Sequence, residues 1–380
     1  MQINLGRSAD EFLRQFWQKK SLLIRQALPN FQSPISPAEL AGLACEPGVE
    51  ARIIQGQGKR FTVAQGPFAE SYFRDLPEKN WTLLVQSVDK WDPEVSVLLA
   101  QFSFLPRWRI EDIMISYAVK GGSVGAHVDQ YDVFLLQAAG KRRWKIDSGE
   151  ESSAQRQYLA RSPVKLLQRF NATESFDLVP GDMLYLPPGV GHHGVALDDQ
   201  CMTYSIGLRA PSLTEMLMDF AAERAEALPD SLRYADPSLQ PRDDPNAIAA
   251  SDVARARALM QQALALDSEE FGHWFGRFTT RYRSEILPTR KLRKSALWDA
   301  FTKGDDENSN LMRTNPHFRW AYSAKALYVG GTQVLLDEKT SAKLLSVGLK
   351  HCEWLALSGF DRAELSKLLA LGALTLARFD

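Results

Sequence analysis

The stretch between residues 52 and 207 most limits what this chain of 380 residues can fold into. It consists of short β-like runs at close spacing, and turns rich in Gly and Pro separate one run from the next. The clearest runs are residues 81–88, 112–119, 132–137, 143–146 and 182–186. Many short strands of this kind predict a β-barrel or a β-sandwich.

Helical patterns stand on both sides of this stretch. Before it, apolar residues recur at helical spacing from Phe12 to Trp17, and a short apolar run at residues 22–24 predicts a strand. After it, the spacing predicts helices at residues 212–227, 247–266 and 271–282, with a Pro-rich loop after the first. We therefore predict a β domain at residues 1–210 and a helical region at residues 211–288.

The last part of the chain, residues 289–380, has a different pattern. Helical segments at residues 292–301, 341–349 and 361–371 alternate with two β-like runs at residues 326–329 and 333–336. A helix-rich unit with one small hairpin is typical of a winged helix. From Arg290 onward, the sequence contains 14 Lys and Arg and 10 Asp and Glu. This small excess argues against direct DNA binding, and therefore against a DNA-binding regulator.

Composition excludes several classes of protein. The formal net charge is -1 and 45% of the residues are hydrophobic, which excludes a histone-like polycation and a largely disordered chain. Three widely spaced cysteines give neither a disulfide framework nor a zinc knuckle. Asp10, Glu11 and Arg14 interrupt the region where a signal peptide has its apolar core, and no window has roughly 18 apolar residues in a row. We predict a cytoplasmic protein without a membrane partner.

Two histidines and one aspartate form a candidate metal site. His127 and Asp129 are two residues apart in a region with a strand pattern, so their side chains point to the same face. His192 follows a Pro-Gly turn and supplies a third ligand, whereas His193 faces the opposite way on a strand. Two imidazoles and one carboxylate leave three coordination positions open, as in non-heme Fe(II) oxygenases. Zinc usually has a closed coordination sphere or takes Cys as well.

The wider sequence around these residues resembles a known family. The His127-x-Asp129 pair with His192, the phrase from residue 127 to 146 and the turn from residue 185 to 192 are similar to JmjC-type bacterial ribosomal oxygenases, in the cupin superfamily. The N-terminal phrase from residue 12 to 24 is also similar, with Ser21 where Pro is expected. The resemblance implies an α+β chain. Its parts are a double-stranded β-helix (cupin/JmjC) domain, a helical dimerisation region and a winged-helix-like C-terminal domain.

The same resemblance implies the co-substrate and its ligands. Fe(II) would be held by His127, Asp129 and His192, and 2-oxoglutarate would bind the iron through its keto-acid end. Arg142 occupies the position of the basic residue that binds the distal carboxylate. Strand alternation independently predicts that Arg142 faces inward, and a buried Arg needs an anion. Ser116 and Ser205 match positions that assist 2-oxoglutarate binding in the family.

The substrate is implied by the resemblance alone. Similarity is greatest to the ribosomal-protein arginyl hydroxylase branch, which implies hydroxylation of an arginine in a large-subunit ribosomal protein. A histidyl substrate and a non-catalytic metal-binding cupin that recruits a partner are the alternatives. The substrate mouth has six candidate residues that the sequence does not rank: Glu111, Asp112, Tyr131, Asp132, Asp198 and Asp199. For Tyr131 and Asp132, an ordinary strand role is the alternative interpretation.

A homodimer is predicted from the helical region. Its helices carry apolar faces but have no β-sheet of their own to cover in the sequence pattern. The faces comprise Leu213, Met216, Leu217 and Phe220, then Ala256, Leu259, Ala263 and Leu266, with Phe271 and Trp274 after them. Family resemblance also favours dimerisation, whereas packing on the flanking domains is the alternative.

Overall fold

The structure of the protein is a computed structural model that describes residues 3–149, 156–241, 244, 246–281, 310–346 and 348–378. It divides the chain into two compact units, Met1–Ala210 and Pro211–Asp380. The helix predicted at residues 292–301 lies outside the described residues. The division into three domains, with a boundary between residues 288 and 289, stays a prediction.

The helices of the first unit are short, and most of those described begin at a side-chain cap. Helix α1 (Ala9–Gln15) begins where the Ser8 hydroxyl accepts a hydrogen bond from the N–H of Glu11. Helix α2 (Pro37–Leu43) begins with a reciprocal capping box between Ser36 and Glu39. The remaining helices are α3 (Glu70–Arg74) and α4 (Pro93–Val97), with 3₁₀ turns at Val88–Lys90, Leu98–Phe102 and Arg107–Arg109.

Eleven strands lie in the described part of the first unit. They are β1 (Leu22–Ile24), β2 (Ala51–Gln57), β3 (Arg60–Gln65), β4 (Trp81–Val85), β5 (Ile110–Ala118), β6 (Asp132–Ala139), β7 (Arg142–Asp147), β8 (Glu174–Leu178), β9 (Met183–Leu186), β10 (Gly191–Ala196) and β11 (Cys201–Leu208). They form an eight-stranded sheet, in the order β1-β9-β6-β11-β5-β4-β2-β3, and a three-stranded sheet, β10-β7-β8. The neighbouring strands named here are antiparallel.

The two sheets pack face to face. Val133 and Leu135 on the large sheet share one buried cluster with Trp144, Ile146 and Leu178 on the small sheet. The opposite face of the large sheet is covered by helical and loop residues, and it holds the largest apolar cluster of the unit. The predicted barrel or sandwich is therefore confirmed, and the space between the sheets is where the candidate site lies.

The second unit begins with three helices. They are α5 (Leu213–Ala227), α6 (Ala250–Leu264) and α7 (Ser268–Arg281), and Ser212 caps the first through a capping box with Glu215. Trp274 is buried within the unit, against the rings of Phe220 and Phe271. This part of the predicted dimer face is therefore used within the chain. The expectation that these helices have no sheet to cover is wrong. Gly276 on α7 lies against the ring of Tyr328, and Tyr328 lies on a strand of a small sheet in the same unit.

In the described residues, the rest of the second unit combines two small sheets with three helices. Strands β13 (Trp320–Tyr322), β14 (Ala326–Val329) and β15 (Thr332–Leu335) form one sheet. Strands β12 (Asn310–Thr314), β16 (Leu349–Lys350) and β17 (Leu374–Arg378) form the other. The helices are α8 (Glu338–Ser346), α9 (His351–Ala356) and α10 (Gly359–Ala370). Sequence patterns predicted the β14–β15 hairpin, α8 and α10, but not the second sheet or α9. Within the described ranges, the helices are too short or too polar to span a bilayer.

Candidate active site

His127 and Asp129 lie on an extended segment between β5 and β6, outside the named strands. The prediction that they belong to a regular strand is wrong. Instead, His127 forms a single antiparallel bridge with His192 on β10, with backbone N–H to O distances of 3.0 and 2.9 Å. The N–H of Gly189 donates to the carbonyl of Asp129 over 2.7 Å. These backbone bonds hold the turn before His192 against the segment that carries the other two side chains.

The three side chains converge. One ligand atom from each of His127, Asp129 and His192 lies within 4.8 Å of the other two, and Nε2 of His192 is 3.6 Å from Oδ2 of Asp129. Nδ1 of His127 is 3.0 Å from the carbonyl of Gly125, and Nδ1 of His192 is 3.1 Å from that of Val190. Because a carbonyl only accepts, each Nδ1 carries the proton and each Nε2 presents its lone pair. This tautomer suits a divalent metal ion.

His192 and His193 have different surroundings. His192 is buried, and its burial, followed by the nearby His127, lowers its pKa to about 4. Its imidazole is therefore neutral at neutral pH, which is the form that binds metals. The ring of His193 packs edge to face on Phe170, at a centroid distance of 6.0 Å, and His193 is paired across the strand with Lys145. It is not part of the converging group in the described chain.

Arg142 is buried close to this group. Its neighbours on β7, Arg143 and Lys145, are exposed, as strand alternation predicted. The Arg142 guanidinium lies 5.7 Å from the ring centre of Trp144, and that ring lies 5.8 Å from the ring of His192. Nε and Nη2 of Arg142 have no hydrogen-bond partner in the part of the chain that the structure describes. A buried cation with two unused donors is suited to an anionic ligand.

Ser116 and Ser205 lie on the inner face of the large sheet. Ser116 on β5 is buried, and its hydroxyl donates to the carbonyl of Thr203 over 3.3 Å. Ser205 on β11 is half-buried and is paired with Met114 and with Leu135. Both serines therefore lie on the face of the large sheet that packs against the small sheet. Their contact with a co-substrate stays a prediction.

Sequence patterns did not predict some of the residues that lie between the two sheets. Thr203 and Gln137 form a buried pair on the same inner face, with a hydroxyl-to-amide distance of 3.1 Å. Trp144 is buried on the same face of β7 as Arg142, and its Nε1 has no hydrogen-bond partner in the described ranges. It is paired with Gly194, where a Cβ atom would lie 2.7 Å from the Trp144 ring. The only sequence signal for the Thr203–Gln137 pair is that polar residues interrupt apolar strands. The Trp144–Gly194 contact depends on the register between two strands, which the sequence pattern does not contain.

Two of the proposed substrate-mouth carboxylates have structural roles. Asp132 is completely buried, and its carboxylate accepts hydrogen bonds from Arg109 (3.0 Å), Gln18 (2.9 Å) and Tyr185 (2.5 Å). The structure therefore favours the alternative interpretation of Asp132, a strand residue with an internal role. Asp112 is also buried and accepts from Gln86 and from the backbone and hydroxyl of Ser87.

The other candidates lie nearer the surface. Tyr131 remains 39% exposed, and Glu111 is half-buried. Asp198 and Asp199 lie in the turn after β10 and accept backbone hydrogen bonds, from Gln200 over 3.4 Å and from Lys120 over 3.1 Å. Tyr131 and Glu111 therefore remain the stronger candidates for the substrate mouth.

Comparison with known sequences gives consistent results. The family described as "JmjC domain" matches residues 97–216. The ribosomal protein uL16 3-hydroxylase of Escherichia coli (strain K12) is 38% identical over 308 residues, which are 80% of this chain and 81% of that protein. A probable ribosomal oxygenase of Haemophilus influenzae is 40% identical over 208 residues, which are 54% of this chain and 50% of that protein.

Solved structures give the same result over the whole chain. The X-ray structure of E. coli ycfD is 33% identical and matches with a TM-score of 0.86, covering 99% of this chain and 100% of that one. The E. coli ribosomal oxygenase YcfD in complex with cobalt and 2-oxoglutarate is 32% identical and matches with a TM-score of 0.79, covering 99% of both chains. These matches confirm the predicted cupin/JmjC fold with its additional helical and C-terminal parts.

Proposed function

Because the chain belongs to the family of JmjC ribosomal oxygenases, we propose that it is an Fe(II)- and 2-oxoglutarate-dependent dioxygenase that hydroxylates an arginine of a large-subunit ribosomal protein. Two relatives support this proposal. The E. coli relative is by name a hydroxylase of uL16, which makes uL16 the first substrate to test. The structure of YcfD with cobalt and 2-oxoglutarate supports the choice of co-substrate and of a divalent metal.

The observation that carries the proposal is the buried guanidinium of Arg142. Burying a charged group without a partner destabilises the fold unless a ligand of opposite charge completes the site. A dicarboxylate that reaches from the metal to Arg142 supplies that charge, and the fork of Arg142 suits a carboxylate geometrically. A non-catalytic metal-binding cupin has no need of such a residue, so we set that alternative aside.

The donor set fits Fe(II). Two neutral imidazoles and one carboxylate occupy one face of a metal ion and leave three positions for co-substrate and oxygen. When bound, iron supplies the activation of O2 that couples decarboxylation of 2-oxoglutarate to hydroxylation of an unactivated carbon. The chain's own contribution begins with His127 and His192, whose Nδ1–H bonds to backbone carbonyls fix the direction of each Nε2 lone pair.

The remaining residues orient the co-substrate and exclude water. In this proposal, Arg142 holds the distal carboxylate of 2-oxoglutarate, and the hydroxyls of Ser116 and Ser205 contribute hydrogen bonds from the facing sheet. Trp144 lies between Arg142 and His192 and keeps that side of the cavity dry. A dry cavity strengthens the ion pair between Arg142 and the co-substrate.

A cationic side chain suits the surroundings of Tyr131, two residues after Asp129. Desolvation, followed by the negative charges of Asp129 and Glu111, raises the pKa of the Tyr131 hydroxyl above its ordinary value. The aromatic face of Tyr131 and the carboxylate of Glu111, which is not a metal ligand, attract a guanidinium by cation–π and charge interactions, while the nearby cation of Arg52 opposes this attraction. This supports arginine over histidine, which is mostly uncharged at neutral pH.

We also propose that the protein acts in the cytoplasm, where ribosomal proteins are made, and that it is a homodimer. Leu213 and Leu217 on α5 are 70% and 55% exposed, which leaves an apolar stripe for a two-fold contact. Light scattering should give a dimer for the wild type and a folded monomer for Leu213→Glu/Leu217→Glu. A wild-type monomer at micromolar concentration would contradict this part of the proposal.

Mass spectrometry of uL16 tests the activity. We expect uL16 from cells that contain this protein to carry one additional oxygen atom, and fragmentation to locate that atom on an arginine. The control is the same strain with the His192→Ala variant, in which uL16 should lack the oxygen. Oxygen on a histidine would favour the alternative acceptor, and unmodified ribosomal proteins in both strains would contradict the proposal.

A further inference from the structure

A basic cleft lies in the first unit, apart from the candidate active site. Its walls are the tip of the β2–β3 hairpin, the loop before β4 and the segment at residues 156–173, and its volume is about 810 Å³. Four cationic residues line it: Lys59, Arg60, Lys79 and Arg161. Among the described residues that line this cleft, none has a carboxylate side chain.

The positive charge is local. The chain as a whole has a formal net charge of -1, yet residues 51–65 contain three Lys or Arg and no Asp or Glu. Residues 156–173 contain four Lys or Arg and no Asp or Glu, and one of the four, Arg156, is paired with Asp147 outside the cleft. These two segments and Lys79 are distant in the sequence, and the fold brings them together. A single charged run is usually only a solvated face, whereas cations gathered from three segments make a positive potential that attracts a polyanion.

The cleft is built on packed structure. Leu166 is buried in one cluster with Ile54 and Phe61, which attaches the 156–173 segment to the β2–β3 hairpin. The ammonium of Lys59 also donates to the carbonyl of Gln168 over 3.0 Å. The hairpin and the 156–173 segment, which carry three of the four cations, are therefore attached to each other by packing and by one hydrogen bond.

The cleft is also tied to the segment that carries the candidate metal ligands. The N–H of Leu167 donates to the carbonyl of Ala126 over 2.8 Å, directly before His127. Leu166 also contacts the position of Gly125, where a Cβ atom would meet its methyl group at 2.3 Å. The segment that forms one wall of the cleft is therefore attached directly to the residues before His127.

We propose that the basic cleft binds the phosphodiester backbone of RNA. The inference rests on the proposed function. A ribosomal-protein substrate itself binds RNA, and we therefore choose RNA as the polyanion that occupies the cleft. A ribosomal protein is cationic and would be repelled by four like charges, so the substrate protein is not the occupant. Among the described residues that line the cleft, Phe61 is the one aromatic side chain, and it is only 8% exposed, so these residues offer no stacking platform for bases. The expected binding is therefore dependent on salt and independent of sequence.

Fluorescence anisotropy with the full chain tests this inference. The probe is a labelled single-stranded RNA of about 20 nucleotides and mixed sequence, titrated over a series of salt concentrations. We expect Lys79→Glu/Arg161→Glu to weaken binding at low salt by at least about tenfold. The plot of log affinity against log salt should become shallower by about 1.4, since each lost phosphate contact removes about 0.7. The matched control is Arg14→Glu/Lys141→Glu, which reverses two exposed cations of the same unit outside the cleft.

Four further results test the inference and the proposed function on which it rests. Equal RNA affinity of the wild type and the cleft variant would overturn it, and so would equal binding of a poly-glutamate of the same charge, because an acidic peptide would then be the better occupant. The cleft variant should hydroxylate a free uL16 peptide at the wild-type kcat, since the cleft is outside the active site. Wild-type protein that binds RNA through the cleft yet hydroxylates no ribosomal protein would support the cleft and refute the proposed function.

Discussion

Two buried polar groups of residues in the first unit have opposite electrostatic character. The Asp132 cluster consists of Asp132, Arg109, Gln18 and Tyr185, and the ligand cavity contains His127, Asp129, His192 and Arg142. In the Asp132 cluster, the carboxylate of Asp132 accepts three hydrogen bonds and pairs with the guanidinium of Arg109. In the ligand cavity, the guanidinium of Arg142 has no such carboxylate among the described residues.

The difference distinguishes structure from function. Leaving a buried polar group without a partner destabilises a fold by about 1–3 kcal/mol, and more for a charge. The Asp132 cluster avoids most of this loss, because the Asp132 carboxylate is hydrogen-bonded and paired with Arg109, although Nε of Arg109 lacks a partner among the described residues. In the ligand cavity, Arg142 is buried without a partner and destabilises the fold, and this arrangement is explained if a bound ligand supplies the missing negative charge. Variants in the two regions should therefore have opposite effects on stability and on ligand binding.

The largest effect is expected at a metal ligand. His192→Ala removes one of three donors and should abolish turnover. Loss of a residue that hydrogen-bonds to a metal ligand lowers metal affinity about 10- to 100-fold. Loss of the ligand itself should lower the Co(II) affinity more, by about 100-fold or more. Absorption titration with Co(II) measures the affinity. His193→Ala is the matched control, because its ring lies outside the converging group, and this variant should remain active. Activity that depends on His193 and not on His192 would refute the assignment.

Asp132→Ala tests the Asp132 cluster. The substitution leaves Arg109 buried without its carboxylate, so the free energy of unfolding should fall by about 3–5 kcal/mol. Urea unfolding followed by fluorescence measures the change. Asp132→Asn is the control that keeps the shape and loses the charge. Co(II) affinity of the folded fraction should equal that of the wild type, and a loss of stability below about 1 kcal/mol would contradict the structural role.

Arg142→Ala should give the reverse result. The midpoint of thermal unfolding without ligands should change little, because no internal ion pair is lost, whereas half-saturation with 2-oxoglutarate should require about 100-fold more co-substrate. Stabilisation of the Co(II)-loaded protein by 2-oxoglutarate measures this without turnover. Arg143→Ala is the control, since this neighbour on the same strand is exposed and pairs with Asp177 at the surface. An unchanged 2-oxoglutarate requirement in Arg142→Ala would exclude the proposed contact.

Sequence patterns predicted these regions unequally, for a physical reason. Alternation along a strand is a local rule, so it correctly placed Arg142 inward and distinguished His192 from His193. The role of Asp132 depends on Arg109 and Tyr185, which lie 23 and 53 residues away in sequence. Such contacts are decided by which strands become neighbours, and no local pattern contains that information.

The same limit applies to the fold. The short runs predicted a barrel or a sandwich of strands, but not that eight strands would join one sheet and three the other. Trp144 and Gly194 complement each other only because β7 and β10 pair in one register. In the second unit, the sheet of β12, β16 and β17 joins segments far apart in sequence and was missed. The family resemblance supplied the global arrangement that periodicity alone does not contain.

Asp89 is intermediate between the two regions. It is 6% exposed, and Oδ1 accepts one hydrogen bond, from the backbone N–H of Ile113 over 2.8 Å. Burial, together with the charge of Asp112, raises the pKa of Asp89 to about 6, although the Ile113 hydrogen bond and the charges of Lys90 and Arg107 lower it. A carboxylate with this one backbone donor is only partly compensated. It should therefore destabilise the fold when it is ionised, by less than a fully uncompensated charge would.

The smallest predicted effect is the pH dependence that Asp89 causes. Its pKa is about 6 in the fold against 3.8 in the unfolded chain, so the fold binds more protons between these values. Its favourable contribution is fully present below pH 3.8 and is lost as the pH rises through about 6. Asp89→Asn keeps an oxygen for the Ile113 N–H and does not titrate, so it should stabilise the protein on the order of 2 kcal/mol at pH 7.5. Urea unfolding of both proteins at several pH values measures this difference, which should shrink toward pH 4, and a constant difference would show that Asp89 is already ionised without penalty in the fold.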